Sequence, residues 1–377
     1  MKHKLLLCVA GCTALAIAAI PLRDGLRLRG LQARVATLRE RYPAPPRAPE
    51  PQASELLARI DALNGRLLPF GGEPYTPPWM WAREHEPLLA DLLAPLDFFF
   101  DGLAEIVESP EGRAVLAQDV VVARRTARLA TLRGWTNLLG GRAVLASREP
   151  GGSRTSAHSL ALAFDLLHLE DSARANDCML RVGMEGIAIA ALHEVLASDS
   201  IDAGLVRALL DERLARAAAP DRLAMALRGE IAYYEEASAD LQAFALAVDC
   251  TRGEALDWLQ GDLEGLGDSL DLADSAAPRA WQRLLTVASP MAFAVRASLV
   301  HRRRLELART ALALREHRQR YGCWPSDLRE LEPGVPLADP VSGEPFAYES
   351  SESGMTLAPA PASARKSIVG EVWHLDG

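Results

Sequence analysis

The chain lacks the cysteine pattern of a disulfide scaffold or a zinc ribbon. Its 377 residues include five cysteines, at positions 8, 12, 178, 250 and 323, and no CxxC pair. Small secreted scaffolds carry many close cysteines, and zinc ribbons carry paired ones. Neither class is expected here. Cys178 and Cys250 stand among apolar residues and should pack as small hydrophobic side chains, while one bridge to Cys323 stays open.

A surplus of positive charge is also missing. Lys and Arg number 41 against 50 Asp and Glu, which gives a formal net charge of −9. Phosphate backbones are bound by a surplus of cations, so no nucleic acid partner is expected. The hydrophobic share of 49% and the charged share of 24% are ordinary for a folded protein with enough length for two domains.

The sequence lacks the common catalytic motifs, including a P-loop and a GxSxG elbow. His193-Glu194 begins like a zincin motif, but Ala197 stands where the second histidine is required. Asp165 and His168 share one helix face, yet His193 lies too far along the next helix of the hairpin to join them. We therefore predict no catalytic, metal or cofactor residues. An enzyme whose residues gather only in three dimensions stays open.

Residues 5–20 form an unbroken apolar run that follows two lysines. Such a run is typical of a membrane anchor or an export signal. Sixteen helical residues extend about 24 Å, against a hydrocarbon core of about 30 Å. We predict residues 1–22 as the signal or membrane anchor, with contact to the lipid bilayer through residues 5–22. An uncleaved anchor ranks first, a cleaved signal second and lipidation of Cys12 third.

Residues 23–42 are predicted as a juxtamembrane helix with arginines on one face. Its apolar stripe has helical spacing and consists of Leu31, Val35, Leu38 and Tyr42. The helix either packs as a stalk on its own protein or lies on anionic lipid, and the stalk is favoured. Residues 43–52 hold five prolines and are predicted as an extended linker.

The helical body is predicted to span residues 53–278, because the composition is rich in Ala, Leu, Arg and Glu and is interrupted by Pro, Gly and Asp. The predicted helices cover 53–66, 79–108 with a break near Pro95, 113–148, 155–170, 174–198, 202–218 and 220–250. The fold class is mainly α, as an irregular helical bundle or a short array of helical hairpins, with a small C-terminal α+β module.

Two acidic groups of the body could carry chemistry. Glu230 is five and six residues from Glu235 and Glu236, a spacing that does not place it beside them on a helix, so a solvated face is favoured. Residues 254–274 hold seven acids and no Lys or Arg. The segment lacks the spacing of an EF-hand, so an exposed acidic segment is expected in preference to a calcium site.

A long helix is predicted over residues 279–321, with a possible restart at Pro290, and it opens the last predicted domain, residues 279–377. Between positions 296 and 320 the helix holds eight arginines against two acids, Glu306 and Glu316. We hypothesise that the acidic segment docks on this basic helix. The alternative is that the arginines face anionic lipid or a partner.

The residues that follow the long helix form a pattern of glycines, prolines and aromatic side chains. Gly and Pro suit the end of a helix and a tight turn, and alternating aromatic residues suit a strand. Short strands at 355–358 and 371–375 would complete a small sheet. The motif residues are Tyr321, Gly322, Trp324, Pro325, Asp339, Pro340, Gly343, Pro345 and Tyr348.

This pattern resembles the end of a type II secretion pseudopilin, where a long helix leads through a YG-x-YP-x-x-L turn to a DP-x-G-x-P-x-x-Y strand. It is also similar to the tail of uncharacterised bacterial membrane-anchored helical proteins. The resemblance covers roughly residues 300–358. Trp324 replaces a tyrosine, one extra residue separates Pro340 from Gly343, and the GFTLxE processing site and the acidic calcium-binding end are not matched.

The resemblance implies a bacterial protein whose body lies outside the cytoplasm, although the arginines after the apolar run favour the opposite orientation. We predict a single-pass protein of the cell membrane that has a structural or protein-interaction role, with protein partners that the sequence does not identify. The alternative is a component or client of a type II secretion or pilus-like assembly. An enzyme with a site not visible in the sequence is the second alternative.

Overall fold

The computed structural model describes most of the chain in segments. The described residues are 23–43, 50–67, 78–117, 129–169, 175–219, 221–247, 250–274, 290–360 and 372–376. Helices dominate these segments, and a three-stranded antiparallel sheet lies near the C-terminus. This confirms the prediction of a mainly α protein with a small C-terminal α+β module.

The helices and strands follow one another in the order of the chain. The helices are α1 (23–41), α2 (Glu50–Leu67), α3 (Glu86–Leu93), α4 (Asp97–Val107), α5 (Pro110–Ala117), α6 (Leu129–Arg148), α7 (Ser153–Leu169), α8 (Ala175–Leu196), α9 (Ala203–Ala217), α10 (Asp221–Ala239), α11 (Leu241–Ala247), α12 (Arg252–Asp274) and α13 (Pro290–Tyr321). The strands are β1 (Ala347–Ser351), β2 (Gly354–Ala358) and β3 (Trp373–Asp376).

Several predicted boundaries agree with these elements. A short 3-10 helix, Ala94–Leu96, separates α3 from α4 and confirms the predicted break near Pro95. The predicted helix 220–250 is divided into α10 and α11. The restart at Pro290 is confirmed, because α13 begins there and proline suits the first helical position. Residues 118–128 and 279–289 of the predicted helices lie outside the described residues.

One hydrophobic core contains residues of α2 to α4, of α6 to α9, of the middle of α13 and of the C-terminal sheet. Among the described residues its largest buried side chains include Trp81, Phe99 and Trp135, and the rings of Phe99 and Trp135 meet edge to face at 5.2 Å. Helix α9 begins at a conventional cap, because the Asp202 carboxylate accepts a hydrogen bond from the Leu205 amide at 3.0 Å. This core positions α8 and α9 along α13.

A second core is built by α1, α10, α11, α12 and the first half of α13. The leucines of α12 are spaced three and four residues apart and are buried, so residues 252–274 form an amphipathic helix. The prediction of an acidic exposed segment missed this helix. Its buried leucines are Leu256, Leu259, Leu263, Leu266 and Leu270. Acidic residues such as Glu254, Asp257 and Glu264 lie on its exposed side.

Helix α1 packs on its own protein through the predicted apolar stripe. Leu31, Val35 and Tyr42 are buried in the second core, and Leu38 packs against it. The Gln32 side chain donates a hydrogen bond to the Ser238 carbonyl oxygen at 2.9 Å. These contacts agree with the stalk interpretation of residues 23–42.

The predicted membrane localisation is contradicted. Among the described residues, no helix combines the length and the apolar composition that a membrane crossing requires. Even α13, with 32 residues, has charged side chains throughout its length. The single-pass assignment, the extracytoplasmic body and the signal-anchor assignment are therefore not retained. The predicted anchor, residues 1–22, and residues 44–49 of the predicted linker 43–52 lie outside the described residues. Residues 50–52 of that linker were predicted as extended and instead begin helix α2.

The C-terminal sheet has the order β1-β2-β3, and both pairs are antiparallel. The predicted strands near 355–358 and 371–375 correspond to β2 and β3. One face of the sheet is buried, because alternate residues of a strand point to the same side. The buried side chains of that face include Met355, Leu357, Trp373 and Leu375. They belong to the same core as α13, so the sheet is held against the long helix.

Candidate functional site

A buried group of charged residues joins α8 to α13. The His301 Nε2 atom is 2.6 Å from the Glu185 Oε2 atom, and the Arg181 Nε atom is 3.3 Å from Glu185 Oε1. These three residues are each at most 5% exposed. A carboxylate beside an imidazole can share a proton, but a substrate would need access to them. Their burial therefore favours a structural role, in which the charges hold α8 against α13.

The three glutamates considered for acid and base chemistry do not form one group. Glu230 is buried, Glu235 contacts Arg39 of α1, and Glu236 is exposed on α10. The expectation of a solvated face therefore fails for Glu230, whose position inside the protein could not be read from its spacing. The structure consequently assigns different environments to the three carboxyl groups.

The residues considered as metal ligands have other partners. Asp165 accepts hydrogen bonds from the Arg213 guanidinium at 2.7 and 2.9 Å, and the His193 ring packs edge-on against Trp373 at 4.8 Å. Within the described ranges, no group of three or more His, Cys, Asp or Glu side chains could hold a metal ion. The side chain of His168 lies outside the described residues. Cys250 and Cys323 are free thiols.

The arginines of α13 form ion pairs with acids of the first core and the C-terminal module. Arg309 contacts Asp211 of α9 at 2.8 Å, and Arg315 contacts Asp199 at 3.3 Å. Helix α12 does pack against α13, but Leu299 of α13 belongs to the core that the α12 leucines form. Asp257 of α12 instead contacts Arg27 of α1. Among the described residues, the contact between α12 and α13 thus includes the apolar side chains of this core.

A small network of charged side chains lies at the C-terminal end of α13. Glu316 contacts Arg207 of α9 at 2.6 Å and Arg320 at 2.7 Å, and Glu332 contacts both arginines. A hydrogen bond from Arg320 lowers the pKa of the Glu332 carboxyl group, with Arg207 adding to the effect. The cavity beside this network has a volume of about 30 Å³, the size of a single water molecule.

The first of the predicted motif residues end α13 and form the turn that follows it. Gly322 has a φ of +76° and ends the helix in the left-handed region, where glycine is favoured. The Tyr348 hydroxyl donates a hydrogen bond to the Pro325 carbonyl oxygen at 2.8 Å. Burial raises the pKa of the Tyr348 phenol. Trp324 is buried, whereas Tyr321 is exposed and its ring lies 4.5 Å from the His317 ring.

Asp339 organises the second half of the motif. Its carboxylate is fully buried, accepts a hydrogen bond from the Val341 amide at 2.8 Å, and lies 3.8 Å from Arg303 of α13. Its carbonyl oxygen accepts a hydrogen bond from the Gly343 amide at 2.7 Å, and Gly343 has a φ of +74°. Pro340 lies inside this turn, and Pro345 forms a bridge with Ala338. The motif therefore fixes the sheet to α13.

An open groove runs between α1 and α10. Its volume is about 490 Å³, which is within the range of small-molecule sites. Its lining is made of small apolar residues with a charged rim, and consists of Gln32, Val35, Ala36, Arg39, Glu40, Glu235, Ser238 and Ala239. The Arg39 to Glu235 ion pair crosses the groove. The groove thus lies where α1 packs against α10.

Large apolar side chains reach solvent on α10, α11 and α12. We name the group of Tyr233, Phe244 and Trp258 the aromatic patch. Trp258 is 46% exposed and stacks on Phe244, with ring centroids 5.5 Å apart and an interplanar angle of 7°. Leu246 is 72% exposed, and the rings of Tyr233 and Phe244 are 6.0 Å apart. This patch was not predicted from the sequence, although its one tryptophan and one phenylalanine are visible there.

A buried tyrosine contacts the aromatic patch. Tyr234 is buried beside Tyr233, and its hydroxyl forms a hydrogen bond with Asp262 of α12. Burial raises the pKa of the Tyr234 phenol, and the nearby charges of Asp262 and Glu230 raise it further. Burial also raises the pKa of the Asp262 carboxyl group, against the opposing effect of the Tyr234 hydrogen bond. The support under the exposed rings is thus fixed by a polar contact between α10 and α12.

Comparison with protein-family models, with curated proteins and with solved structures yields no match to this chain. The resemblance to the pseudopilin tail therefore stays a prediction from the motif residues.

Proposed function

We propose that this protein acts through protein-protein contacts, as a helical interaction module. The observation that carries this proposal is the aromatic patch, in which Trp258 reaches solvent while Phe244 supports the indole ring. Exposed aromatic side chains on a rigid base are enriched at the centres of protein interfaces.

The environment of the charged residues supports the same proposal. Glu185, His301 and Asp339 are buried among fixed partners, an arrangement that suits stability and leaves little room for a substrate. The groove between α1 and α10 offers a further recess beside the helices that carry the aromatic patch. The exposed chemistry of this region is therefore that of an interaction surface.

A photoreactive cross-linker at position 258 tests the proposal in cells of the source organism. We expect illumination to give a discrete product of higher mass that contains this chain and a defined protein. The matched control carries the same group in place of Leu88. This leucine is exposed on α3, which is one of the helices of the first core. Equal products from both positions, or no product from position 258, would overturn the proposal.

We propose, as a second candidate, a component or client of a type II secretion or pilus-like assembly. The observation that favours it is the direct continuation of α13 into a turn and a three-stranded sheet, which suits the resemblance of the motif residues to a pseudopilin tail. A photoreactive group at the exposed Tyr321 tests this candidate. We expect cross-linked products that contain secretion or pilus subunits, and products without such subunits would contradict it.

A further inference from the structure

We infer that the aromatic patch binds a second copy of this chain, and that two copies meet about a two-fold axis through α1 and α12. This inference rests on the proposed function, because it names the partner of the same surface. The contact joins two surfaces of opposite charge, one on α1 and the other on α12.

The α12 surface is aromatic and acidic. Glu254 precedes Trp258 by four residues, so the two side chains share one face of the helix. Glu254 is exposed, and the Asp257 side chain is 70% exposed. From Glu254 to Asp274 the sequence contains no Lys or Arg. This surface therefore suits a partner that presents an apolar side chain beside cations.

The exposed side of α1 has the complementary chemistry. Leu26 is 61% exposed, and Arg23 and Arg29 stand three residues before and after it, on the same helix face. Both arginines are exposed. Gly30 lies beside this face with open space around it, so another helix can approach closely. An exposed leucine between two arginines fits the chemistry that the α12 surface requires.

Helices α1 and α12 contact each other within one molecule. Arg27 contacts Asp257, and it also donates a hydrogen bond to the Gln260 side chain at 2.7 Å. Leu26 directly precedes this arginine, and Trp258 directly follows this aspartate. A two-fold rotation places each surface of one copy opposite the other surface of its partner, so both contacts form at once. Patches of opposite charge on the two helices are therefore self-complementary in this arrangement.

Sedimentation velocity of the full chain tests the inference across a concentration series. We expect a monomer-dimer equilibrium whose dissociation constant rises about tenfold or more in Trp258→Ala, as for a central interface residue. Arg29→Gln and Glu254→Gln should each weaken the dimer, and more so at low salt than at high salt. Glutamine at position 254 keeps the reciprocal cap with Thr251, so the helix start is preserved. Leu88→Ala is the matched control and should leave the equilibrium unchanged.

Cross-linking between isotopically distinct copies locates the contact. A mixture of unlabelled and ¹⁵N-labelled full-length chains, each with a photoreactive group at position 26, should yield mixed-isotope peptides that join position 26 to α11 or α12. A chain that stays monomeric up to about 100 μM overturns the inference. Dimers unaffected by Trp258→Ala also overturn it. If position 258 cross-links a different protein in cells, the proposed function survives without the dimer.

Discussion

His301 and Glu185 face each other across the interface of α13 and α8, with 2.6 Å between the imidazole Nε2 and a carboxylate oxygen. They are separated by 116 positions in the sequence and are both buried. Arg181 adds a cation on the other oxygen of Glu185. Removing one partner of a buried charge pair leaves the other without compensation, which is the more damaging change. The contact is therefore expected to be important for stability.

Replacing Glu185 tests this expectation. We expect Glu185→Ala to lower the free energy of unfolding by about 3 to 5 kcal/mol, because Arg181 and His301 lose a buried carboxylate. Urea titration followed by circular dichroism measures the change. Glu236→Ala is the control, since that side chain is exposed on α10 and should change stability by less than about 0.5 kcal/mol. Equal losses from both variants would contradict the structural role of Glu185.

Alkaline pH should destabilise the protein through Tyr234. Burial raises the pKa of this phenol in the folded state above its ordinary value of 10.0. Above that pH the unfolded chain releases the phenol proton while the folded chain keeps it, so the folded state binds more protons. The free energy of unfolding must then fall as pH rises above about 10. Unfolding titrations between pH 9 and 11 measure this slope.

The Tyr234→Phe variant separates this effect from other alkaline titrations. It should have a smaller loss of stability above pH 10 than the wild type, although removal of the hydrogen bond to Asp262 lowers stability at neutral pH by about 1 kcal/mol. Tyr321→Phe removes an exposed hydroxyl group and should keep the wild-type slope. An unchanged slope in Tyr234→Phe would contradict the assignment.

The second core should depend on the leucines of α12. Leu259 is completely buried, so we expect Leu259→Ala to reduce the free energy of unfolding by about 2 to 5 kcal/mol through lost burial and a residual cavity. Leu246 on α11 is exposed, so Leu246→Ala should have an effect below about 0.5 kcal/mol. Denaturant titration compares the two variants. A small effect at position 259 would mean that α12 is not part of a packed core.

Two glycines should respond in opposite directions to alanine. Gly322 has a φ of +76°, where alanine is strained, so Gly322→Ala should destabilise the protein by about 1 to 2 kcal/mol. Gly30 lies inside α1 with open space around it, so Gly30→Ala should stabilise by about 0.5 to 1 kcal/mol through helix propensity. Thermal unfolding measures both shifts. Stabilisation by Gly322→Ala would contradict the left-handed end of α13.

Local patterns accounted for much of the fold. Pro290 marks the beginning of α13 and Gly322 marks its end, because both residues act on the backbone at their own positions. The α12 leucines were equally visible as a helical stripe, but the charge of the surrounding acids dominated the prediction. The apolar run of residues 5–20 led to a membrane assignment that the described helices contradict.

The sequence by itself determined most of the helices, the small sheet and the turn at the motif residues, since these depend on side-chain spacing and backbone preferences over a few positions. Only the tertiary structure decided that Arg309 pairs with Asp211 and that Glu185 meets His301, because these partners are 98 and 116 positions apart. It also decided that Trp258 stays exposed while the neighbouring Leu259 is buried. The reason is that burial and pairing depend on which helix faces meet, and helix packing sets those faces over the whole chain.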